Sequence, residues 1–315
     1  MNSYQNRRAG RGLTTRAVAV VAGSLALAVG TSVAASADDG AGSAAITKVR
    51  NAQPSQHLGT PATGSKSARA AQQQIWSFGL NGRDSTGTIW DYPPKAGGGF
   101  KTRVKAGTGL KSATAFFQNN SANTTHVNVY AVVSNQLRLF SGASSSGKVL
   151  ATGWSTYNAF VTPGNLGGTA NPDLLARDKS GVLWLYLSNS NGTFGGRNKV
   201  GTGWNTYTQI AGRDDLTGDG KPDIVARDKA GVLWLYKGTG TYKAPLSGRV
   251  KIGTGWNGYN KLIGLGDNNG DGLNDLIARD GHGDLYFYSG TGKASAPFHK
   301  RVKIGHGWNV YNYLF

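Results

Sequence analysis

Gly203-Trp204-Asn205-Thr206-Tyr207 is written again as Gly255-Trp256-Asn257-Gly258-Tyr259 and as Gly307-Trp308-Asn309-Val310-Tyr311, and an earlier copy reads Gly153-Trp154-Ser155-Thr156-Tyr157. Tryptophans at 154, 204, 256 and 308 set the period. At roughly 50 residues it falls in the range of solenoids, propellers and arrays. A residue that recurs once per unit is therefore read first as a part of the scaffold.

Between two of these sentences the pattern is all β. Ile224-Val225-Ala226-Arg227 reads as a strand, Asp228-Lys229-Ala230-Gly231 as a turn with Asp first and Gly fourth, and Val232-Leu233-Trp234-Leu235-Tyr236 as a second apolar strand. Gly248-Arg249-Val250-Lys251-Ile252-Gly253 alternates basic and apolar residues, as an exposed edge strand does. With the segment 208–212, each unit holds four short strands. The strand–turn–strand core recurs around Arg83-Asp84, Arg177-Asp178 and Arg279-Asp280, and once in a worn form, 129–140, that has lost the Arg-Asp pair. In that neighbourhood Leu110 stands where other units have Trp. Trp90, Trp184 and Trp234 lie in the apolar strands and read as core.

Five units are counted. The first begins at Ile75-Trp76-Ser77-Phe78 without its first strand, and the chain ends on Tyr311-Asn312-Tyr313-Leu314-Phe315, the first strand of a unit that does not follow. A closed ring removes its open seam by joining the two. The fold expected is an all-β, five-bladed β-propeller of four-stranded blades, closed by the C-terminal strand pairing into the first blade, with residues 312–315 alongside 75–78. The blades are expected at about 75–110 plus 311–315, 111–154, 155–204, 205–256 and 257–310.

Two loops carry acidic ligands at alternate positions. Asp215, Thr217, Asp219 and Asp223 stand at positions 1, 3, 5 and 9, with Gly220 at 6 and the Lys221 carbonyl at 7. Asp267, Asn269, Asp271 and Asp275 repeat this, with Gly272 at 6 and the Leu273 carbonyl at 7. Such spacing wraps a hard cation in oxygen, and Ca²⁺ takes six to eight oxygen ligands; the alternative is plain Asx-turn chemistry. Two structural Ca²⁺ sites are expected. The corresponding loop of the third unit, 165–173, keeps only Asp173 and is expected to bind none.

These loops, each followed by an apolar strand, resemble the FG-GAP/VCBS-type repeats of integrin-like propellers in secreted bacterial proteins. The Gly-Trp-Asn-x-Tyr sentences and their period also resemble the tachylectin-like five-bladed sugar-binding propellers. The resemblance covers residues 75–315, departs from the first family in its shorter repeats and in having only two intact loops, and implies adhesion or ligand binding.

The N-terminal residues read as a leader. Arg7, Arg8, Arg11 and Arg16 precede an apolar stretch and Ala35-Ser36-Ala37, the layout of a secretory signal peptide over 1–37. Residues 38–74 are rich in Ala, Ser, Gly and Gln and read as a flexible linker. Without the four leader arginines, 30 Lys and Arg face 16 acids, all Asp, for a net charge of +14. A basic extracellular protein is drawn to anionic polymers. There is no Cys, so disulfides and thiol chemistry are excluded.

Two readings of the recurring Trp–Asn pairs stay open. Trp204, Trp256 and Trp308 beside Asn205, Asn257 and Asn309 form either a sugar platform, ring face plus amide, or a wedge between blades. The outer-strand pairs Arg197/Lys199, Arg249/Lys251 and Arg301/Lys303 either protect an edge or grip a polyanion. The chain has no Glu, no Cys and five scattered His, and only Asp91 and Asp214 fall outside the repeat logic. The function expected is a secreted, monomeric, Ca²⁺-stabilised binding or adhesion module for extracellular carbohydrate or an anionic cell-wall polymer, with no nucleic-acid specificity and no membrane span after leader removal. The alternative is a secreted polysaccharide hydrolase acting at the propeller mouth.

Overall fold

The computed structural model describes residues 77–120, 127–141 and 146–315. The expected leader, the expected linker and Ile75-Trp76 lie outside the described residues. Twenty strands form five four-stranded antiparallel sheets. Blade 1 holds β1 (Leu80–Asp84), β2 (Ile89–Tyr92), β3 (Val104–Gly107) and the last strand, β20 (Tyr311–Leu314). Blade 2 holds β4 (Ala115–Asn120), β5 (Val127–Val133), β6 (Gln136–Phe140) and β7 (Lys148–Thr152). Blade 3 holds β8 (Tyr157–Gly164), β9 (Asp173–Asp178), β10 (Leu183–Ser188) and β11 (Phe194–Gly201). Blade 4 holds β12 (Tyr207–Ala211), β13 (Ile224–Asp228), β14 (Leu233–Gly238) and β15 (Leu246–Gly253). Blade 5 holds β16 (Tyr259–Gly266), β17 (Asp275–Asp280), β18 (Leu285–Tyr288) and β19 (Val302–Gly305). The architecture is the five-bladed propeller that the repeat implies.

Burial explains the composition of each strand. The second strands are covered on both faces by neighbouring blades, so Leu174-Leu175-Ala176 and Ile224-Val225-Ala226 are continuous apolar runs with no exposed member. Leu175, Leu183 and Leu185 of blade 3 meet Ile224 and Ala226 of blade 4 around Trp204 and Tyr207. The outermost strands, such as β15, face water and carry the basic residues.

The ring closes by two joints. β20 is the innermost strand of blade 1 and runs antiparallel to β1, pairing Gly82 with Leu314 and Arg83 with Tyr313. Asn81 and Phe315 exchange both backbone hydrogen bonds at 2.9 Å. The tail therefore lies against 80–84, not 75–78 as the sequence suggested. Ser77 and Phe78 turn to blade 5 instead: Ser77 bridges to Gly266, and the Phe78 N–H donates to the Leu265 carbonyl at 2.9 Å. The physical reason is that β1 is the second strand of its blade, so only its free edge can accept the tail.

The recurring Gly-Trp sentences are 3-10 turns, a feature the pattern did not announce. Trp154–Thr156, Trp204–Thr206, Trp256–Gly258 and Trp308–Val310 each follow a glycine whose φ lies between 78° and 86°. That left-handed backbone is open to Gly at little cost. The Trp204, Trp256 and Trp308 N–H groups donate to Gly181, Gly231 and Gly283 in the hairpin turn of the preceding blade. No helix of the described residues is long and apolar enough to cross a membrane.

Candidate functional site

Each intact blade interface carries the same cluster. Between blades 3 and 4, Trp204 packs on Tyr236 with centroids 4.8 Å apart, and the Tyr207 and Tyr236 hydroxyls meet at 2.5 Å. Arg249 donates to the Tyr207 hydroxyl at 2.5 Å and lays its guanidinium 4.1 Å from the Trp234 ring centre. The Trp234 indole N–H donates to Asp228 at 2.8 Å, the chief reason that the carboxyl sits below its usual range. The set recurs as Trp154, Tyr157, Tyr186, Arg197, Trp184 and Asp178. It recurs again as Trp308, Tyr311, Tyr92, Arg103, Trp90 and Asp84. Between blades 4 and 5 Tyr286 replaces the second Trp, with Arg301 4.4 Å from its ring centre.

The residues singled out from sequence fall into two groups here. Trp204 and Trp308 are buried, and Trp256 is half-buried against Tyr288 at 4.9 Å, so their ring faces are largely occupied by protein. Asn205, Asn257 and Asn309 are exposed. The Asn309 amide donates to the Gly281 carbonyl at 2.9 Å and that of Asn257 to Lys229 at 3.5 Å. The Asn side chains rest on Gly181, Gly231 and Gly283, where a methyl group would strike them. Trp90, Trp184 and Trp234, which read as core in the sequence, do pack against core clusters but are half-buried. The signal that could have exposed this is the Arg two residues before each outer-strand Lys, which supplies the cation above each ring.

The acidic loops lie at the other end of the blades, between the first and second strands. In loop 215–223 the Asp215 carboxylate accepts the N–H groups of Thr217, Gly218, Asp219 and Gly220 at 2.9, 2.6, 3.3 and 2.7 Å. Asp223 is buried and accepts from Leu216 and Gly238 at 3.0 and 2.9 Å. Carboxylate oxygens of Asp215, Asp219 and Asp223 lie within 4.8 Å of one another. Burial, with Asp215 and Asp219 adding to it against the Gly238 N–H, pushes Asp223 up to about 6. One cation answers this charge, Lys237, at 2.8 Å from Asp219. Three carboxylates gathered this closely offer hard oxygen donors of the kind a divalent cation such as Ca²⁺ takes.

Loop 267–275 shares the spacing but not the convergence. Asp267, Asp271 and Asp275 do not form such a group, and among the described residues the Asp215, Asp219, Asp223 set stands alone. Asn269 donates its amide to Asp271 at 2.7 Å. Burial pushes Asp275 up to about 8 and raises Asp267. Asn268, at the position of Leu216, donates to Ser77 and to the Phe78 carbonyl at 3.2 and 3.0 Å, so this loop also anchors the start of the described chain. In loop 165–173, Asp173 is buried and its carboxyl is pushed up to about 6 by that burial.

The innermost strands line a cavity of about 70 Å³. Arg213 closes one end: it donates to the Gln118 carbonyl and Thr162 hydroxyl at 2.8 and 2.5 Å and lies 3.6 Å from the Phe78 ring centre. Lys261 and Tyr313 line it as well. The two acids left over from the repeats, Asp91 and Asp214, do not line it; burial pushes them up to about 7 and about 6, in separate blades.

Residues 215–278 match a family model described as FG-GAP-like repeat. The matched stretch runs from the first acidic loop through the second. No curated protein matches the sequence. Solved structures that superpose include a lectin from Agrocybe aegerita that recognises non-reducing terminal N-acetylglucosamine, at 16% identity and TM-score 0.43 over 77% of this chain and 65% of that one. Others are the BP39L lectin from Burkholderia pseudomallei, at 15% and 0.43 over 72% and 69%, and AofleA from Arthrobotrys oligospora, at 14% and 0.40 over 70% and 66%. The chain thus spans less than two thirds of the first of these, and similarity this low transfers no ligand.

Proposed function

We propose that the protein is an exported, multivalent carbohydrate-binding propeller whose ring is stabilised by Ca²⁺. The observation that carries this reading is the fourfold recurrence of a half-buried aromatic ring, Trp90, Trp184, Trp234 or Tyr286, with a guanidinium beside it, and of exposed Asn amides on the neighbouring hairpin turns. Aromatic surface covers the C–H faces of a sugar while such polar groups fix its hydroxyls. Four copies on one wheel allow a repeating extracellular polymer to be held at several points, and avidity then exceeds the affinity of one site. The basic outer strands favour an acidic polymer among such ligands.

Asp215, Asp219 and Asp223 would hold one Ca²⁺, with the Thr217 hydroxyl and Lys221 carbonyl completing the loop. Asp267, Asn269, Asp271, Leu273 and Asp275 carry the same pattern for a second. The ion neutralises the gathered carboxylates; the loop N–H groups fix Asp215 for it. A glycan array with the full chain, in Ca²⁺ and in chelator, tests both parts. Retention of a polysaccharide that falls with Asn257→Ala, at unchanged melting temperature, is expected. Release of shortened products without retention would replace the binding reading by a hydrolytic one. Ca²⁺ should raise the melting temperature, and Asp219→Ala or Asp271→Ala should remove part of the rise; superimposable melts in chelator and in excess Ca²⁺ would dismiss the metal.

A further inference from the structure

Four guanidinium groups lie between neighbouring inner strands at the mouth of the ring opposite the acidic loops. Arg83, Arg177, Arg227 and Arg279 occupy the same position in blades 1, 3, 4 and 5, and Val132 takes it in blade 2. Each Nε is held by the inner strand of its own blade, on Asn312, Asn158, Thr208 and Asn260 at 2.8 to 2.9 Å. Each Nη1 reaches carbonyls at the start of the next blade: Arg177 takes Trp204 and Tyr207 at 3.0 and 2.6 Å, and Arg279 takes Trp308 and Tyr311 at 3.0 and 2.9 Å. Among the described residues no acceptor meets any Nη2 of the four. Between neighbouring inner strands, these groups encircle the axis.

Lys261 adds a fifth cation. It lines the cavity, its Nζ lies 5.0 Å from the Tyr313 ring centre, and no hydrogen-bond acceptor among the described residues meets it. Arg83 lies 5.9 Å from the same ring centre. Burial, with Arg279 close by, pushes the Lys261 ammonium down to about 8.

No carboxylate answers these charges. Asp84, Asp178 and Asp228 turn away to hold their own hairpin turns and the Trp90, Trp184 and Trp234 indoles; Asp280 does the same with Tyr286. The two ion pairs among the described residues, Lys237–Asp219 and Lys303–Asp284, involve none of the five. Exposed Lys179 and Lys229 on the same turns extend the positive field. Cations gathered without a carboxylate at one end of the ring call for an anion from outside.

We propose that this mouth binds one compact oxyanion, a phosphate or sulfate group, with Lys261 as the central cation and the spare guanidinium N–H groups as flanking donors. A guanidinium already fixed by two bonds presents its remaining donors at little further entropic cost, and its fork suits tetrahedral oxyanions. The site is separate from the blade-edge clusters and stands whether or not those bind sugar.

Titration calorimetry on the full chain at fixed ionic strength tests it, with inorganic phosphate, inorganic sulfate and a phosphate-bearing glycerol polymer as probes. One site per chain is expected for at least one probe. Lys261→Gln should weaken it about ten-fold, as loss of a charge-assisted bond does, while Lys243→Gln, exposed in the connection between β14 and β15, leaves it unchanged. Because Lys261 has no protein acceptor, Lys261→Gln should melt in chloride like the parent. Should that variant fail to fold, the melting temperature of the parent decides: phosphate must raise it beyond chloride of equal ionic strength. Binding of the inorganic ions identifies a free oxyanion as the ligand, and binding of the polymer alone identifies a polymer-borne group. Silence from all three probes, an affinity unmoved by Lys261→Gln, or equal melting in phosphate and chloride overturns the proposal.

Discussion

The interface between blades 3 and 4 and that between blades 1 and 2 do the same job with different side chains. The first uses Trp204, Tyr207 and Tyr236, with Leu185 filling the space behind them. The second has Leu110 and Ala113 in place of the Trp and Tyr, and packs them with Ile89, Phe116, Phe140 and Phe315. Phe116 and Phe315 stack with centroids 4.9 Å apart at 17°. At the position of Leu185 it buries Asp91, one of whose oxygens has no partner. One thing survives in both. Arg83 reaches the carbonyls of Leu110 and Ala113 as Arg177 reaches those of Trp204 and Tyr207. At these two junctions the aromatic cluster is a replaceable way of filling volume while the arginine is kept; between blades 2 and 3, where Val132 stands at its position, the aromatics are kept instead.

The largest effect should come from emptying the aromatic interface. Trp204→Ala is expected to cost about 3–5 kcal/mol in denaturant unfolding, the range for large core truncations, and Leu110→Ala less, because it removes a smaller side chain. Equal costs would show that the worn interface is packed as critically as the intact one.

Next come the arginines. Arg177→Met and Arg83→Met should each cost about 2–3 kcal/mol, since the carbonyls they bridge lose charged donors. The two costs should match despite the different neighbours. A cost confined to Arg177 would tie the arginine to the aromatics and break the comparison.

The smallest effect concerns pH. Burial pushes Asp91 up to about 7, above the unfolded value of about 3.9. The folded chain therefore binds this proton more tightly, and the stability it contributes is full below about pH 4 and lost as pH rises to about 7. Asp91→Asn, which mimics the protonated acid, should flatten that slope and recover on the order of 2 kcal/mol at pH 8. An unchanged slope in the variant would mean that Asp91 is ionised and solvated.

Much of this was legible beforehand because repetition separates scaffold from novelty. The spacing of Trp154, Trp204, Trp256 and Trp308, the strand–turn–strand units and the surplus tail were enough to count blades and to expect closure. The partial exposure of Trp90, Trp184 and Trp234 was not legible, because an apolar strand looks the same whether its neighbour covers it fully or in part. The partner of the tail was misplaced because local pattern does not say which strand edge is left free.

The sequence alone determined the β architecture, its fivefold count, the closing strand and the acidic spacing of both loops, since these are properties of neighbours along the chain and of a period. Only the tertiary structure decided that 215–223 gathers its carboxylates while 267–275 does not, and that four arginines bridge neighbouring inner strands while Lys261 lines the cavity between those strands. Those groups lie tens of residues apart, and their meeting depends on how rigid blades are set around an axis, which no run of adjacent residues encodes.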